Sequence, residues 1–425
     1  MRTRLQLSIA LTSVLSAAPN LAQKAVQSPA IPSDQTVSAP PTFTEPQAPF
    51  NQVVDARALD GSGTISVISI RKPRLLVGGS ISSGFDSNPQ NLGQSKSSII
   101  YATSPYLGIE ASTVRTQFVL QYHPTLSRFT NYAGETMQVA SAKVVGSLSP
   151  RMHWDFGIAG SHGDDSLRLL SPTQPNSGAA GGAFLPNAGM ATNIDSAADL
   201  FFDASARDFI AVHFVNSYNS FPALHQEGTV SSTNLSYNHA IRPTLSYQLY
   251  EENSLYFGDL SCTAIGGGFG IRWQPRESTA ISAKGGPQLD TPGCKRQQGF
   301  SYSTNVARKL PHRSQLSFSA DRQPLISYLG SGLWQDDVSA AYERLIQSAN
   351  TLSFDVGFIH SSTLLNASSY HGTFFDVAYI RRLHKGLSLG WSYRTFIGAS
   401  NDVGITRNIA QFGITFTPNT PTLSQ

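Results

Sequence analysis

At 425 residues the chain has room for two or three ordinary domains or one large closed sheet, yet only 13% of it is Asp, Glu, Lys or Arg, about half the usual share. Aromatic residues at 10%, 35 glycines and a mean hydropathy of −0.15 exclude a disordered chain, and past the N-terminus no run nears the ~18 to 20 apolar residues of a spanning helix. A net charge of +3 with no basic stripe gives no footprint for nucleic acid.

Arg2 and Arg4 precede an apolar core from Leu5 to Ala18, and Leu21-Ala22-Gln23 supplies a cleavage neighbourhood. Residues 1–22 therefore read as an export signal cut after Ala22, its core being too short for a membrane anchor. Residues 23–73 carry Pro29, Pro32, Pro40, Pro41, Pro46 and Pro49 among Ser, Thr, Gln and Ala. That composition predicts an extended periplasmic linker, a tether or a spacer to a periplasmic partner, with no core of its own.

From Arg74 the dominant period is two. Leu387, Leu389, Trp391 and Tyr393 point one way and Ser388, Gly390, Ser392 and Arg394 the other; Leu352, Phe354, Val356 and Phe358 alternate in the same manner with Ser353, Asp355 and Gly357. Strands are expected near 74–84, 98–111, 114–129, 136–149, 151–163, 195–205, 208–219, 229–240 and 243–253. They continue near 263–273, 278–289, 299–309, 314–322, 334–345, 350–360, 371–382, 386–397 and 406–416. These are about eighteen segments of roughly ten residues, with sixteen or fourteen as alternative counts, and ten residues is what a tilted strand needs to cross a bilayer.

Every second connection is short: "SPRM" at 149–152, "SARD" at 205–208, "IRPT" at 241–244, "QPRE" at 274–277, "LPHR" at 310–313, "QSAN" at 347–350 and "LHKG" at 383–386. Those between, such as 84–97, 164–194, 323–333 and 361–370, are mostly longer and polar or glycine-rich. A soluble sandwich has no reason to sort its connections by parity, whereas an outer-membrane barrel has tight periplasmic turns and long outer loops. The predicted fold is thus all-β, a transmembrane antiparallel barrel of the outer-membrane type over 74–417 with a tail at 418–425; a secreted β-sandwich or β-helix is the alternative. An even strand count places both termini in the periplasm. The apolar face meets lipid and the Ser, Thr, Asn and Gln face lines a wet interior. Tyr122, Trp154, Trp273, Trp391 and Tyr393 are expected partly as interfacial aromatics and partly as lipid-facing filler.

The longest connection, Asp164 to Asn193, is the third outward loop, read either as a constriction folded into the pore or as a surface loop. Cys262 and Cys294 are expected in successive outward loops, after the ninth and eleventh strands, as one disulfide. Gly163-Asp164-Asp165-Ser166 is a cation-binding turn or merely a solvated one. Lys143, Glu343, Arg344, Asp355, Asp376, Arg382 and Arg394 are candidate lumen charges, their facing set by register. No nucleotide loop, zinc spacing or Ser-His-Asp constellation stands out, so no catalytic residue, cofactor or metal is assigned.

His360-Ser361-Ser362 resembles the His-x-Ser arrangement of outer-membrane phospholipases over two residues, with Asn366 as the nearest amide; ordinary polar residues at a strand end are the alternative. Gly84-Phe85-Asp86-Ser87-Asn88-Pro89, closing the first strand, resembles the first-strand signature of the outer-membrane beta-barrel porin family associated with exopolysaccharide or capsule loci. That resemblance implies an outer-membrane channel or assembly component. Phe416 looks like the terminal aromatic of a signal read by the barrel-assembly machinery, although nine residues follow it. The expected function is a non-enzymatic channel for small polar or saccharide solutes or an exported polysaccharide, embedded among outer-membrane lipids. A non-conducting structural or surface-recognition barrel is the alternative, and an outer-membrane lipid hydrolase a third.

Overall fold

The computed structural model describes residues 71–90, 95–113, 115–164, 189–222, 225–258, 261–290, 298–326, 332–346, 350–363, 370–384, 386–400 and 403–416. The leader, the Pro-rich segment up to 70 and the tail lie outside the described residues. The described chain is a succession of antiparallel strands: β1 (Arg71–Asp86), β2 (Ser98–Ser112), β3 (Thr116–Tyr122 with Thr125–Phe129), β4 (Glu135–Ser149), β5 (Met152–Asp164), β6 (Met190–Asp203), β7 (Asp208–Phe221), β8 (Gln226–Arg242) and β9 (Leu245–Phe257). There follow β10 (Cys262–Arg276), β11 (Thr279–Asp290), β12 (Gln298–Leu310), β13 (Ser314–Ile326), β14 (Gly332–Ile346), β15 (Asn350–Thr363), β16 (Tyr370–His384), β17 (Leu387–Ser400) and β18 (Val403–Phe416).

Each strand pairs with its sequence neighbours, and β1 also pairs with β18, Gly79 opposite Phe416 through Asp86 opposite Ile409. The sheet is therefore a closed barrel of eighteen strands, as the alternation and loop parity predict. The two halves of β3 both lie between β2 and β4 and are interrupted at His123-Pro124, where proline has no N–H to give the ladder. On one rim the connections are two to four residues long throughout. The turn between β12 and β13 holds His312 and Arg313 at φ 61° and 57°, and the turn before β17 uses Gly386 at φ 80°, where glycine meets no Cβ clash.

The parity is less complete on the opposite rim, where 222–225, 258–261 and 401–402 are also short. The strands there are longer than expected: β8 runs for 17 residues and so absorbs chain that the sequence suggests is loop. Between β10 and β11 the glycine runs permit an unusually close approach. A Cβ on Gly268 or Gly286 would lie 2.2 and 1.9 Å from the carbonyl oxygens of Gly285 and Gly267.

The outer face is an apolar belt. Leu75, Val77, Ile81 and Phe85 on β1, Phe269, Ile271 and Trp273 on β10, and Phe412, Ile414 and Phe416 on β18 are all exposed. Such a continuous exposed belt on a closed sheet is a lipid-facing surface, because the backbone has no unpaired edge to bring into hydrocarbon. All five predicted aromatics share this face by alternation. Trp154 and Trp273 sit near the tight-turn ends of β5 and β10, in interfacial position, whereas Tyr122, Trp391 and Tyr393 lie farther up their strands as belt filler.

Glu251 interrupts the belt: it lies on the outward face of β9 between the exposed Leu249 and Leu255, opposite Leu235 of β8. A carboxylate in hydrocarbon is unfavourable, by up to about 2 kcal/mol at mid-depth. Glu251→Leu is therefore expected to raise the temperature at which the detergent-extracted barrel loses its compact, heat-modifiable migration on a gel.

The seam between β1 and β18 carries a buried ion pair. Asp86 is 0% and Arg407 1% exposed, both point inward, and Arg407 Nε donates to Asp86 Oδ1 at 3.1 Å and Oδ2 at 3.0 Å. Beside it the Ser87 N–H donates to the Asn408 carbonyl at 2.9 Å and the Asn408 N–H to Ser87 Oγ at 2.8 Å. The Asn88 N–H donates to Asp86 Oδ1, and the Asn88 amide reaches the Thr406 carbonyl. The cluster that the sequence places at the start of the long connection 84–97 is thus a latch, with Phe85 exposed on the outer face. Removing one partner of such a pair strands a buried charge at a cost of about 3 to 5 kcal/mol. Asp86→Ala and Arg407→Ala should each lower the barrel's melting temperature markedly, while the double variant Asp86→Leu with Arg407→Met recovers most of the loss.

Candidate functional site: the charged inner face

The alternation that sends Phe318, Val338, Val356 and Phe375 to lipid sends Asp321, Asp337, Asp355 and Asp376 to the inside. Register then sets these carboxylates against each other. Asp321 stands directly opposite Asp337, Asp355 directly opposite Asp376, and Asp376 directly opposite Arg394, whose Nε donates to Asp376 Oδ2. Like charges directly opposite are unfavourable in a sheet, and here two such pairs lie on consecutive strands with one guanidinium to balance them.

A second cluster lies half the circumference away. Asp155 faces Asp199 across β5 and β6, Asp199 pairs with His213 of β7, and the buried Lys143 Nζ meets Asp155 Oδ2 at 2.6 Å. Ser217 Oγ donates to Asp195 Oδ1 at 2.5 Å. Between the two acidic sectors the inner wall carries cations: Arg272 on β10 and Lys284 on β11, the latter 5.4 Å above the Tyr250 ring. Hydroxyl pairs fill much of the remainder, Ser104 with Thr125 at 2.5 Å, Ser232 with Ser254 at 2.8 Å and Ser319 with Ser339 at 2.7 Å.

The inner face departs from the expected hydroxyl and amide lining beside the seam. Ile100 lies opposite Phe129 and Phe374 opposite Phe396, all buried and inward, with Ile359 and Ile409 buried nearby on β15 and β18. Cross-strand apolar pairs of this kind stabilise the sheet from within, an advantage that a purely polar lining lacks.

The five principal lumen candidates, Lys143, Glu343, Asp355, Asp376 and Arg394, all project inward, Glu343 near the tight-turn end of β14. Arg344 does not: it shares the outward face with Val338. Arg382 shares Asp376's face at the tight-turn rim, where the ladder slips by one residue. Cys262 opens β10 opposite Tyr256 instead of lying in a loop, because β10 begins earlier than the alternation implies; Cys294 and therefore the disulfide lie outside the described residues. Most of the long third connection also lies outside them. Asp164 closes β5 and its Oδ2 accepts the Thr136 N–H at 3.0 Å; Asp165 and Ser166 are outside the described residues. His360 is exposed on the outward face, opposite His371, and Ser361 between the pair is buried on the inward face; Ser362, the serine of the His-x-Ser spacing, stands opposite Trp334 in the ladder, and its side chain lies outside the described residues. Asn366 is outside the described residues. Among the described residues no three His, Cys, Asp or Glu side chains converge to hold a metal ion.

Asp155, Asp199, Asp321 and Asp337 are not among the sequence-predicted lumen charges, although the same alternation reaches them: Asp155 stands an even number of residues from Ser161, Asp199 from Asp195, Asp321 from Ser319 and Asp337 from Ser339, each on its own strand. Nor is Arg407, whose partner is 321 residues away.

No family model matches the chain, and no curated protein matches it. Solved structures do. Pseudomonas aeruginosa OprD is 9% identical over 84% of this chain and 98% of its own, with a TM-score of 0.46. Acinetobacter baumannii OccAB2 is 9% identical over 82% and 98%, with a TM-score of 0.46. The siderophore receptor PirA from Acinetobacter baumannii is 7% identical over 82% and 81%, with a TM-score of 0.42.

Arg394 is the one cation facing the Asp355 and Asp376 pair among the described residues. Arg394→Ala should lower stability by about 1 to 3 kcal/mol, and Asp376→Asn made in that background should restore part of it, both read from denaturant midpoints of the folded barrel in detergent.

Proposed function

We propose that the protein is an outer-membrane channel that gives small polar solutes a water-filled passage, without enzymatic chemistry. The observation that carries this reading is the two-sided wall: the outward faces of the strands form a mainly apolar, exposed belt, and the inward faces carry most of the paired charges and hydroxyls inside a closed sheet. A barrel whose task is adhesion has no need of charge clusters directed inward. The likeness of residues 84–89 to barrels of the exopolysaccharide-associated type supports a saccharide, or an exported polysaccharide, as the solute. Hydroxyl pairs such as Ser232 with Ser254 suit sugar hydroxyls as exchange partners for water.

The second reading, a non-conducting structural or surface-recognition barrel, draws on the inward apolar pairs Ile100 with Phe129 and Phe374 with Phe396, which narrow the wet part of the interior.

Planar-bilayer recording of the purified protein separates the two. The channel reading expects discrete conductance steps, and with inward carboxylates outnumbering inward Lys and Arg it expects a reversal potential of K+ over Cl− sign in a KCl gradient. No conducting event at any voltage would leave the structural reading standing. Asp355→Asn with Asp376→Asn should shift the reversal potential toward zero.

A further inference from the structure

We infer that the Asp321 and Asp337 pair is a binding subsite for an organic cation, a primary ammonium or guanidinium group carried by a solute in the lumen. This rests on the proposed passage for its access route, but the site itself is defined by the wall.

Four observations lead there. The two carboxylates stand directly opposite on β13 and β14, and the repulsion between them has no compensating contact within the described chain, since no Lys, Arg or His pairs with either. Arg322, next in sequence to Asp321, points the other way, to the outer face, where its Nη1 lies 3.7 Å from Asp336. Asp337 is only 5% exposed, and its buried Oδ2 has no hydrogen-bond partner. A buried carboxylate oxygen with nothing to accept from is expensive, so a donor from outside the chain is the missing component. The neighbouring pair, Asp355 with Asp376, has the same arrangement but is answered by Arg394, which shows the kind of group that the first pair lacks.

The chemistry of that group is narrowed by its surroundings. A divalent metal would need three or more converging ligands, which the described residues do not provide. Two carboxylates side by side, with the Ser319 and Ser339 hydroxyls two residues along each strand, instead offer several acceptors spread over a strip of wall. Such a strip matches an ammonium with three donors or a planar guanidinium with five. The half-buried Asp321 supplies the accessible contact and Asp337 the field behind it. Asp355 on β15 extends the strip toward a second cationic group, so a diamine or agmatine should bind better than a monoamine.

Isothermal titration of the full-length detergent-purified protein with agmatine and putrescine tests this, with glutarate and Mg2+ as controls. The expected result is saturable binding of the amines, weakened at least about tenfold in Asp337→Asn and in Asp321→Asn, with glutarate giving no heat. Because Asn at 337 relieves repulsion, the variant should melt at or above the wild-type temperature, which separates lost recognition from lost structure. Should Asp337→Asn fail to fold, Asp321→Asn alone decides. Absence of amine binding, equal affinity in the Asn variants, or Mg2+ binding without amine binding would each overturn the inference. The titration needs no ion flow, so amine binding without conductance would sink the channel reading alone, and conductance without amine binding would sink this one alone.

Discussion

Everything in this structure depends on the sheet closing between β1 and β18. In hydrocarbon an unpaired strand edge costs several kcal/mol for each stranded backbone group, so an eighteen-stranded sheet that failed to close would not be a membrane protein. The ladder from Gly79 to Asp86 supplies the backbone part of that closure. The Asp86 and Arg407 pair, with Ser87 and Asn88 held to Asn408 and Thr406, supplies a side-chain lock at one end of the seam. This joint cannot draw on sequence proximity, because its partners lie at opposite ends of the barrel sequence. A directional, charge-assisted contact selects one register where apolar packing alone would tolerate a slip.

Closure explains how much of the fold was legible in the sequence. Alternation of period two reports which face meets lipid, and in a barrel that is a property of each strand alone; hence eighteen strands, including β3 read as one piece across His123-Pro124, emerge without any long-range information. Strand ends are less legible. Residues 226–228 of β8, Gln, Glu and Gly, are polar or small on both faces, as a strand rising beyond the bilayer is free to be, and they resemble loop for that reason. The same logic hid Asp86. Beside Gly84, Asn88 and Pro89 its local chemistry is that of a turn, and only the position of Arg407 reveals it as an ion-pair partner.

The candidate site divides along the same line. That Lys143, Asp355, Asp376 and Arg394 face inward follows from parity, but that Asp355 sits opposite Asp376 and Asp321 opposite Asp337 follows from register between strands, which no single strand encodes. The apolar pairs that interrupt the expected Ser, Thr, Asn and Gln lining have a related cause. A membrane barrel is under strong pressure only on its outer face; the inner face must satisfy polar groups but is free to bury Ile100 against Phe129 where the wall gains from it.

The uneven charge of the inner wall is then best understood as a consequence of where the stability resides. Backbone ladders around a closed ring and an apolar belt in lipid hold the sheet without help from the lumen, so directly opposed carboxylates at Asp321 and Asp337 are tolerable there in a way they would not be in the core of a soluble sheet. Tolerable is still not favourable. Lys143 answers Asp155, and Arg394 answers Asp376, each inside the chain. Where the same wall leaves a carboxylate pair unanswered, the proposed amine is the balancing charge, and on that proposal the inner face records the solute as well as the fold.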